Sequence, residues 1–431
     1  MSVLPENFLA HSIASHPRRD SITRILAAAI QSADAGEAVK KFLRGNPLPP
    51  AKRIFSFGLG KAAPAMISAL AGRIPLTDSL LVTKHASGLH LKAGEVVAGN
   101  HPLPGTDSRA AGRAARKFIS RLTPDDLLVC LLSGGGSALM AEPLIPLAEL
   151  QALTSALLAS GAAIHEVNTV RRHLDSLKGG GVVQAANGAR IVSLILSDVV
   201  GDSLEAIASG PTAPDPTTAE DARAIVCQIA NLADRSRDAQ IGNLRYIFRE
   251  TAKPGDPVFA RVENHIIASN DLALRAAQRQ AEAEGFFAEI LETGMQGEAR
   301  QVGKRLAEIL AGQARARPFC LLAGGETTVT VRGNGKGGRN QELALGAVDA
   351  LRAVENVMLV AFATDGEDGP TDAAGATVTG ESAARAASLG MAAPDFLSRN
   401  DAYSFFERLG DLIRPGPTGT NVNDLILLFG F

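Results

Sequence analysis

The sequence predicts an α/β protein of two domains, and three observations carry that prediction. Short apolar runs of strand length alternate with amphipathic stretches of helix length from Arg53 onward. Several of the apolar runs end in glycine and open into polar loops. The chain has 431 residues, more than one hydrophobic core ordinarily organises. Apolar residues make up 46% and charged residues 20%, as in globular proteins free in water. With 43 basic against 45 acidic residues there is no charge excess to draw nucleic acid. No apolar stretch nears the ~20 residues that cross a bilayer, so no membrane partner is expected. Cys130, Cys227 and Cys320 lie far apart, which fits free thiols in a reducing compartment better than disulfides or zinc ligands. The expectation is a cytoplasmic enzyme.

Ile22, Ile25, Leu26, Ala29 and Ile30 keep helical spacing and predict an amphipathic surface helix. Arg53 to Phe57 reads as a strand leading into FGLGKAAPAM, where Gly58 and Gly60 form a turn and Lys61 stands at a helix start. One residue separates those glycines and Ala62 follows the lysine, so the phosphate-binding loop of nucleotidases is absent. Ala63 occupies the place of the third glycine in the dinucleotide fingerprint, so that motif fails too. A lysine charge beside a helix N-terminus remains, which suits an anion. Leu80–Thr83 and Glu95–Ala98 read as strands, and His101 in the next loop reads as structural.

Leu127 to Leu132 predicts a strand buried on both faces, followed by Ser133, Gly134, Gly135, Gly136 and Ser137. A glycine triplet lets the backbone turn sharply and present several N–H groups to one anion. Pro146 opens a helix closed by Gly161, and Val167, Val170, Leu174 and Leu177 predict another, carrying Arg171, Arg172 and Lys178. Arg190 to Ser197 is a buried strand, with Asp198, Gly201 and Asp202 after it. Carboxylates at a strand end can hold a divalent cation or accept a proton.

TAKPGDPV, near Glu250 to Pro257, reads as a linker, dividing the chain into 1–253 and 254–431. Beyond it a second βα series is expected: HIIAS as a strand, Asn270 capping a helix, a strand over Ala288–Leu291, and a helix over Gly297–Leu310. Phe319–Ala323 ends in Gly324-Gly325-Glu326, and FCLLAGGET echoes VCLLSGGGS as the same strand-to-helix turn. RGNGKGGRNQE reads as a mobile glycine-rich loop carrying Lys336 and Arg339 into a helix near Asn340. Two cations beside a helix N-terminus make a strong anion site. Met358–Ala363 is a strand, followed by Asp365, Glu367, Asp368 and Asp372 among glycines. The calcium-loop spacing does not fit, whereas magnesium shared with phosphates needs only one or two carboxylates. A Gly-, Thr- and Asn-rich loop containing Asn421 precedes the last strand.

In open α/β sheets ligands bind outside the carboxyl ends of strands, where this sequence gathers its glycines, cations and carboxylates. That chemistry describes a nucleotide phosphate with Mg2+ and a small anionic acceptor. The motifs GLGKAA, NHPLP, SGGGSAL, NTVRRHL, LSDVVGD, ASGPT, KGGRNQE, ATDGEDGPTDAAGA and GTNVNDL together resemble the glycerate 2-kinase family. Asp175 stands after HL where serine is familiar in that family. The resemblance runs from about residue 50 to the C-terminus and includes the region called MOFRL, about 318–426.

The resemblance implies a Rossmann-like doubly wound N-terminal domain, a C-terminal MOFRL-type α/β domain, and an active site in the cleft between them. It implies phosphoryl transfer from ATP to the 2-hydroxyl of D-glycerate, with Mg2+. On that reading Lys61, Arg339 and Asp365 are the catalytic residues. Gly58, Gly60, Ser133, Gly134, Gly135, Gly136, Ser137, Arg172, Lys178, Gly325, Glu326, Lys336, Asn340 and Asn421 line the phosphates and substrate, and Asp198, Asp365 and Asp368 are the metal candidates. The alternative is a hydroxypyruvate reductase using NAD(P)H, which the incomplete glycine fingerprint disfavours. A homo-oligomer is compatible with the sequence but not required by it.

Overall fold

The computed structural model describes residues 3–232 and 248–431. They form two compact units, the first Ala38–Ser197 with Asp202–Ile267, the second Met1–Glu37 with Asp198–Gly201 and Ala268–Phe431. A single cut near residue 253 therefore does not describe the division. TAKPGDPV is part of the first unit's packing: Thr251 is buried and donates to the Asp215 carboxylate, and Ala252 O accepts from Asp215 N–H. The early helix Arg19–Ser32 belongs to the second unit, where it buries Ile22, Ile25, Leu26, Ala29 and Ile30 and packs on the helix Asn270–Ala283. Arg24 grips Glu284 there with two hydrogen bonds, at 2.6 and 2.7 Å.

The first unit is built on β1 (Arg53–Leu59), β2 (Asp78–Thr83), β3 (Glu95–Ala98), β4 (Asp126–Leu132), β5 (Arg190–Leu196) and β6 (Val262–Ala268), in the order β3-β2-β1-β4-β5-β6. The β3–β2, β2–β1, β1–β4 and β4–β5 pairings are parallel. This is the doubly wound order expected, and all seven residues of β4 are buried because helices cover both faces of such a sheet. The strand order reverses between β1 and β4, so their following loops emerge side by side, Leu59 opposite Leu132. That switch point is where an open α/β sheet leaves room for a ligand.

The second unit carries β7 (Phe287–Met295), β8 (Phe319–Gly325), β9 (Val357–Ala363), β10 (Gly375–Thr379), β11 (Leu412–Ile413) and β12 (Asp424–Gly430), ordered β11-β10-β9-β12-β8-β7. Only β7–β8 is parallel; the other four pairings are antiparallel. The resemblance of FCLLAGGET to VCLLSGGGS is therefore one of strand burial rather than of turn. Gly325 packs on β7, where a Cβ would lie 2.2 Å from Met295 O. In the resulting register Asp424 faces Gly325 on one side and Ala363 on the other. The N-terminal end of β12 thus meets the C-terminal ends of β8 and β9.

Two local expectations shift. Ser269, not Asn270, caps the following helix, and Asn270 instead donates to Val422 O and Asp424 O, fixing the start of β12. The helix Ile164–His173 stops four residues short of Leu177, because the Asp175 carboxylate accepts from Leu177 N–H and turns the chain. The helix after the glycine triplet is a single turn, Gly136–Leu139. Among the described residues no helix is long and apolar enough to cross a membrane.

Candidate active site

In the first unit the loops after β1 and β4 lock together. Lys61 N–H donates to Gly134 O at 3.0 Å, and Ala62 N–H donates to Ser133 Oγ at 3.0 Å. Ser133 is buried and its hydroxyl holds the loop, and Gly60 packs against the same residue. Gly58 packs tightly on Leu81, so it serves the sheet. Gly135 has φ +83°, a left-handed conformation that glycine adopts at little cost. The N–H groups of Gly134, Gly135, Gly136 and Ser137 donate to no acceptor among the described residues. Successive unoccupied N–H groups around a left-handed glycine make an anion-binding nest. The stem of Lys61 and the His101 ring both close over Gly135, within 3.4 Å of where a Cβ would stand. Lys61 is exposed, while burial and the charges of Lys61 and Lys84 hold the half-buried His101 below its ordinary pKa, keeping it neutral.

In the second unit a cavity of about 850 Å³ opens where β8, β9 and β12 meet. Arg339, the first residue of the helix Arg339–Ala347, lines it and is fixed from two sides. Its Nε and Nη2 donate to Asp424 at 2.6 and 3.1 Å, and its Nη1 donates to Glu326 at 2.6 Å. Burial works against the guanidinium charge, but the Asp424 and Glu326 carboxylates hold its pKa above the usual value. Burial pushes the Asp424 carboxyl up to about 6, with the Arg339 charge pulling the other way. Of the five N–H donors of an arginine, one on each terminal nitrogen remains for a further oxygen.

Asp198, Asp365, Glu367, Asp368, Asn421 and Asn423 complete the polar wall. Asp368 is committed elsewhere: its two oxygens accept Asn340 N–H at 3.2 Å and Gln341 N–H at 2.8 Å, capping the Arg339–Ala347 helix. Burial raises its pKa to about 7, opposed by those N–H groups and reinforced by Asp424. Asn340 is buried and turns its amide toward Asp368, so it shapes the cap. The Asn421 side chain accepts from Asn423 N–H, and Asn423 donates to Asp198 O, bracing that carboxylate's backbone. Lys336 is exposed and stacks on Tyr403, 3.9 Å from the ring centre.

The glycine-rich segment before Arg339 is packed. Gly333 and Gly335 run against Arg399 and Asp401, and a Cβ on Gly338 would lie 2.3 Å from Asp368 Cγ. Among the described residues no three His, Cys, Asp or Glu side chains form a metal cluster. The hard oxygens of Asp198 and Asp365 line one cavity and fit an ion shared with phosphates; Asp368, with both oxygens engaged by the helix, does not.

A domain described as of unknown function, DUF4147, matches residues 21–239, and the MOFRL family matches residues 319–424. A glycerate 2-kinase from Pyrococcus horikoshii is 40% identical, over 94% of this chain and 95% of its own. The chain belongs to the glycerate 2-kinase family. A solved glycerate kinase from Thermotoga maritima has a TM-score of 0.85 at 38% identity, covering 95% of this chain and 98% of that one. A relative from Agrobacterium vitis, 39% identical over 94% of this chain and 93% of its own, carries hydroxypyruvate reductase as a provisional name.

In this member of the glycerate 2-kinase family, two expected anion-binding cations are structural. Arg172 is buried, with Nε 2.9 Å from Asp215 and its terminal nitrogens on Glu205 O, Thr169 and Thr217. Lys178 is buried too, donating to Met140 O at 2.7 Å and to Asp175 at 2.9 Å. Asp424, which orients Arg339, was missed although GTNVNDL was singled out. An aspartate entering an apolar strand, LILLFGF, was the available signal.

Proposed function

We propose that this chain transfers the γ-phosphoryl group of ATP to the 2-hydroxyl of D-glycerate, giving 2-phosphoglycerate and ADP. One observation carries the reading: each unit holds an anion-binding construction with a cation at a helix start. The first is the Gly134–Ser137 nest with Lys61, and the second is Arg339 at the head of the Arg339–Ala347 helix. Phosphoryl transfer asks mainly for positioning and neutralisation of charge spread over the equatorial oxygens. Lys61 supplies a mobile point charge, whereas Arg339, aligned by Asp424 and Glu326, offers two N–H groups in a fixed plane. The glycerate oxygen bonds to phosphorus as the bond to the bridging oxygen breaks and ADP leaves. Asp365 lines the cavity as the carboxylate that orients the hydroxyl or receives its proton. Mg2+, held by Asp198 and Asp365 with phosphate oxygens, would screen the polyphosphate charge.

Cys130 and Cys320 are free thiols in strand cores, and burial raises the pKa of Cys130 to about 12. Such unreactive thiols suit the cytoplasm we propose for it. The deciding assay supplies ATP, Mg2+ and D-glycerate, measures ADP, and detects the product through enolase, which consumes 2-phosphoglycerate but not the 3-isomer. Asp365→Asn should lower kcat and shift the Mg2+ dependence. NADH oxidation with hydroxypyruvate and no ADP from glycerate would overturn the proposal.

A further inference from the structure

The first unit holds a cation that neither its fold nor its ion pairs explain. Arg171 and Arg172 are neighbours on the helix Ile164–His173 and point about 100° apart. Arg172 turns inward to Asp215. Arg171 turns the other way and is partly buried, yet among the described residues it makes no ion pair or hydrogen bond. Burial alone lowers its pKa. An arginine withdrawn from water without a counter-charge is an unfavourable arrangement that a bound anion relieves.

Its surroundings say which anion. Arg171 lines a small pocket with Pro104, Ser137, Leu150, Thr154, Asp175 and Lys178. The Asp175 carboxylate there is already engaged by Lys178, Glu142 N–H and Leu177 N–H, so among the described residues no counter-charge is left for Arg171. The pocket is narrow at its base, about 10 Å³, and opens toward solvent. The nest and Lys61 already offer a polyphosphate its place, which leaves the acceptor's carboxylate as the anion for Arg171. A guanidinium offers a planar two-pronged match to such an oxyanion. Ser137 belongs both to this pocket and to the nest of unoccupied N–H groups, so the pocket adjoins the place where a second anionic group would sit.

We propose that Arg171 binds the carboxylate of the 2-hydroxy acid acceptor and selects acids over neutral polyols. The proposal rests on the kinase reading above, with Arg171 as the residue that fixes acceptor identity.

The test compares wild type with Arg171→Met and Arg171→Lys in steady-state kinetics, and in calorimetric titration of D-glycerate with ADP present. Thermal melts establish that each variant is folded. Arg171→Met should raise KM for D-glycerate roughly tenfold or more while KM for ATP stays within about twofold, as loss of one charge-assisted pair implies. Arg171→Lys should fall between it and wild type, because the charge is kept and the fork is lost. Glycerol should be neither bound nor phosphorylated by wild type. An unchanged glycerate KM in either folded variant overturns the assignment, and so does an effect confined to ATP. Wild type that binds D-glycerate without forming ADP refutes the kinase reading alone, and Arg171 is then judged by loss of calorimetric binding in the variants. Wild type that binds no glycerate refutes both.

Discussion

Replacing Arg172 with methionine removes the cation from one of the most enclosed ion pairs in the first unit. The Arg172 side chain is 4% exposed and that of Asp215 is 0% exposed, with 2.9 Å between nitrogen and oxygen. Breaking such a pair by deleting one partner costs about 3–5 kcal/mol, because a buried charge is left without its counter-ion. Asp215 keeps hydrogen bonds from Thr217 N–H, Thr217 Oγ1 and Thr251 Oγ1, so the lower end, about 3 kcal/mol, is the expected loss. For a unit of roughly 200 residues that is a fall in Tm of about 6–12 °C. The pair also has a signed pH dependence. Burial raises the Asp215 pKa, but Thr217 and Arg172 outweigh it and the net shift is downward. A depressed carboxylate contributes stability above its unfolded pKa and loses it as pH falls through the lower folded value. Removing Arg172 takes away part of that downward pull, so the acid-linked loss contributed by Asp215 should be smaller in Arg172→Met, and the gap in Tm from wild type should narrow between pH 7 and pH 4. Calorimetric melts at pH 7 and pH 4, with kinetics on the folded variant, test this. Adding Asp215→Asn should restore part of the loss, since both charges are then gone. A variant that melts like wild type but has lost turnover would show that Arg172 serves the substrate and would refute the argument.

Lys61→Ala should lower kcat by roughly 10²-fold or more, the size seen when a preorganised electrostatic group is removed; its exposed side chain predicts an unchanged melt, checked by circular dichroism. Gly338→Ala should destabilise the second unit by about 1–3 kcal/mol in urea titrations, because the new Cβ would lie 2.3 Å from Asp368 Cγ and displace the helix cap. Asp368, with a folded pKa raised to about 7, contributes stability that is full below its unfolded pKa and lost as pH rises through 7. Asp368→Asn should flatten the fall in the urea midpoint between pH 5 and pH 8, and a midpoint profile parallel to wild type would count against the raised pKa.

Strands were legible because runs such as Leu127–Leu132 and Met358–Ala363 are apolar without interruption, and only a sheet covered on both faces accommodates that. The nest was legible for a related reason, since a glycine triplet at a strand end has few other uses. Direction was not legible: an apolar run carries no mark of whether its neighbour is parallel, so β8 could pass for a second β4. Side-chain commitment was the other gap. Arg171 and Arg172 look equivalent in sequence, and one step around a helix sends one to Asp215 and the other to an open charge. Asp365 and Asp368 sit in one acidic loop, yet only Asp368 meets the N–H groups of a helix that begins 29 residues earlier, at Arg339.

The helix Arg19–Ser32 is synthesised before β1, yet the helix it packs on, Asn270–Ala283, is synthesised after β6. The whole first unit is made in the interval between these two partners. During that time Ile22, Ile25, Leu26 and Ile30 lack their largest covering helix, and on the ribosome they form an adhesive stripe suited to a chaperone. Loss of this leading segment should then appear as a defect remote in sequence: the β7–β12 sheet would aggregate while the β1–β6 unit folds. A gene fragment running from about residue 38 to 267 is accordingly the piece to test for autonomous folding, and the fragment that follows it should need the first 37 residues supplied in trans.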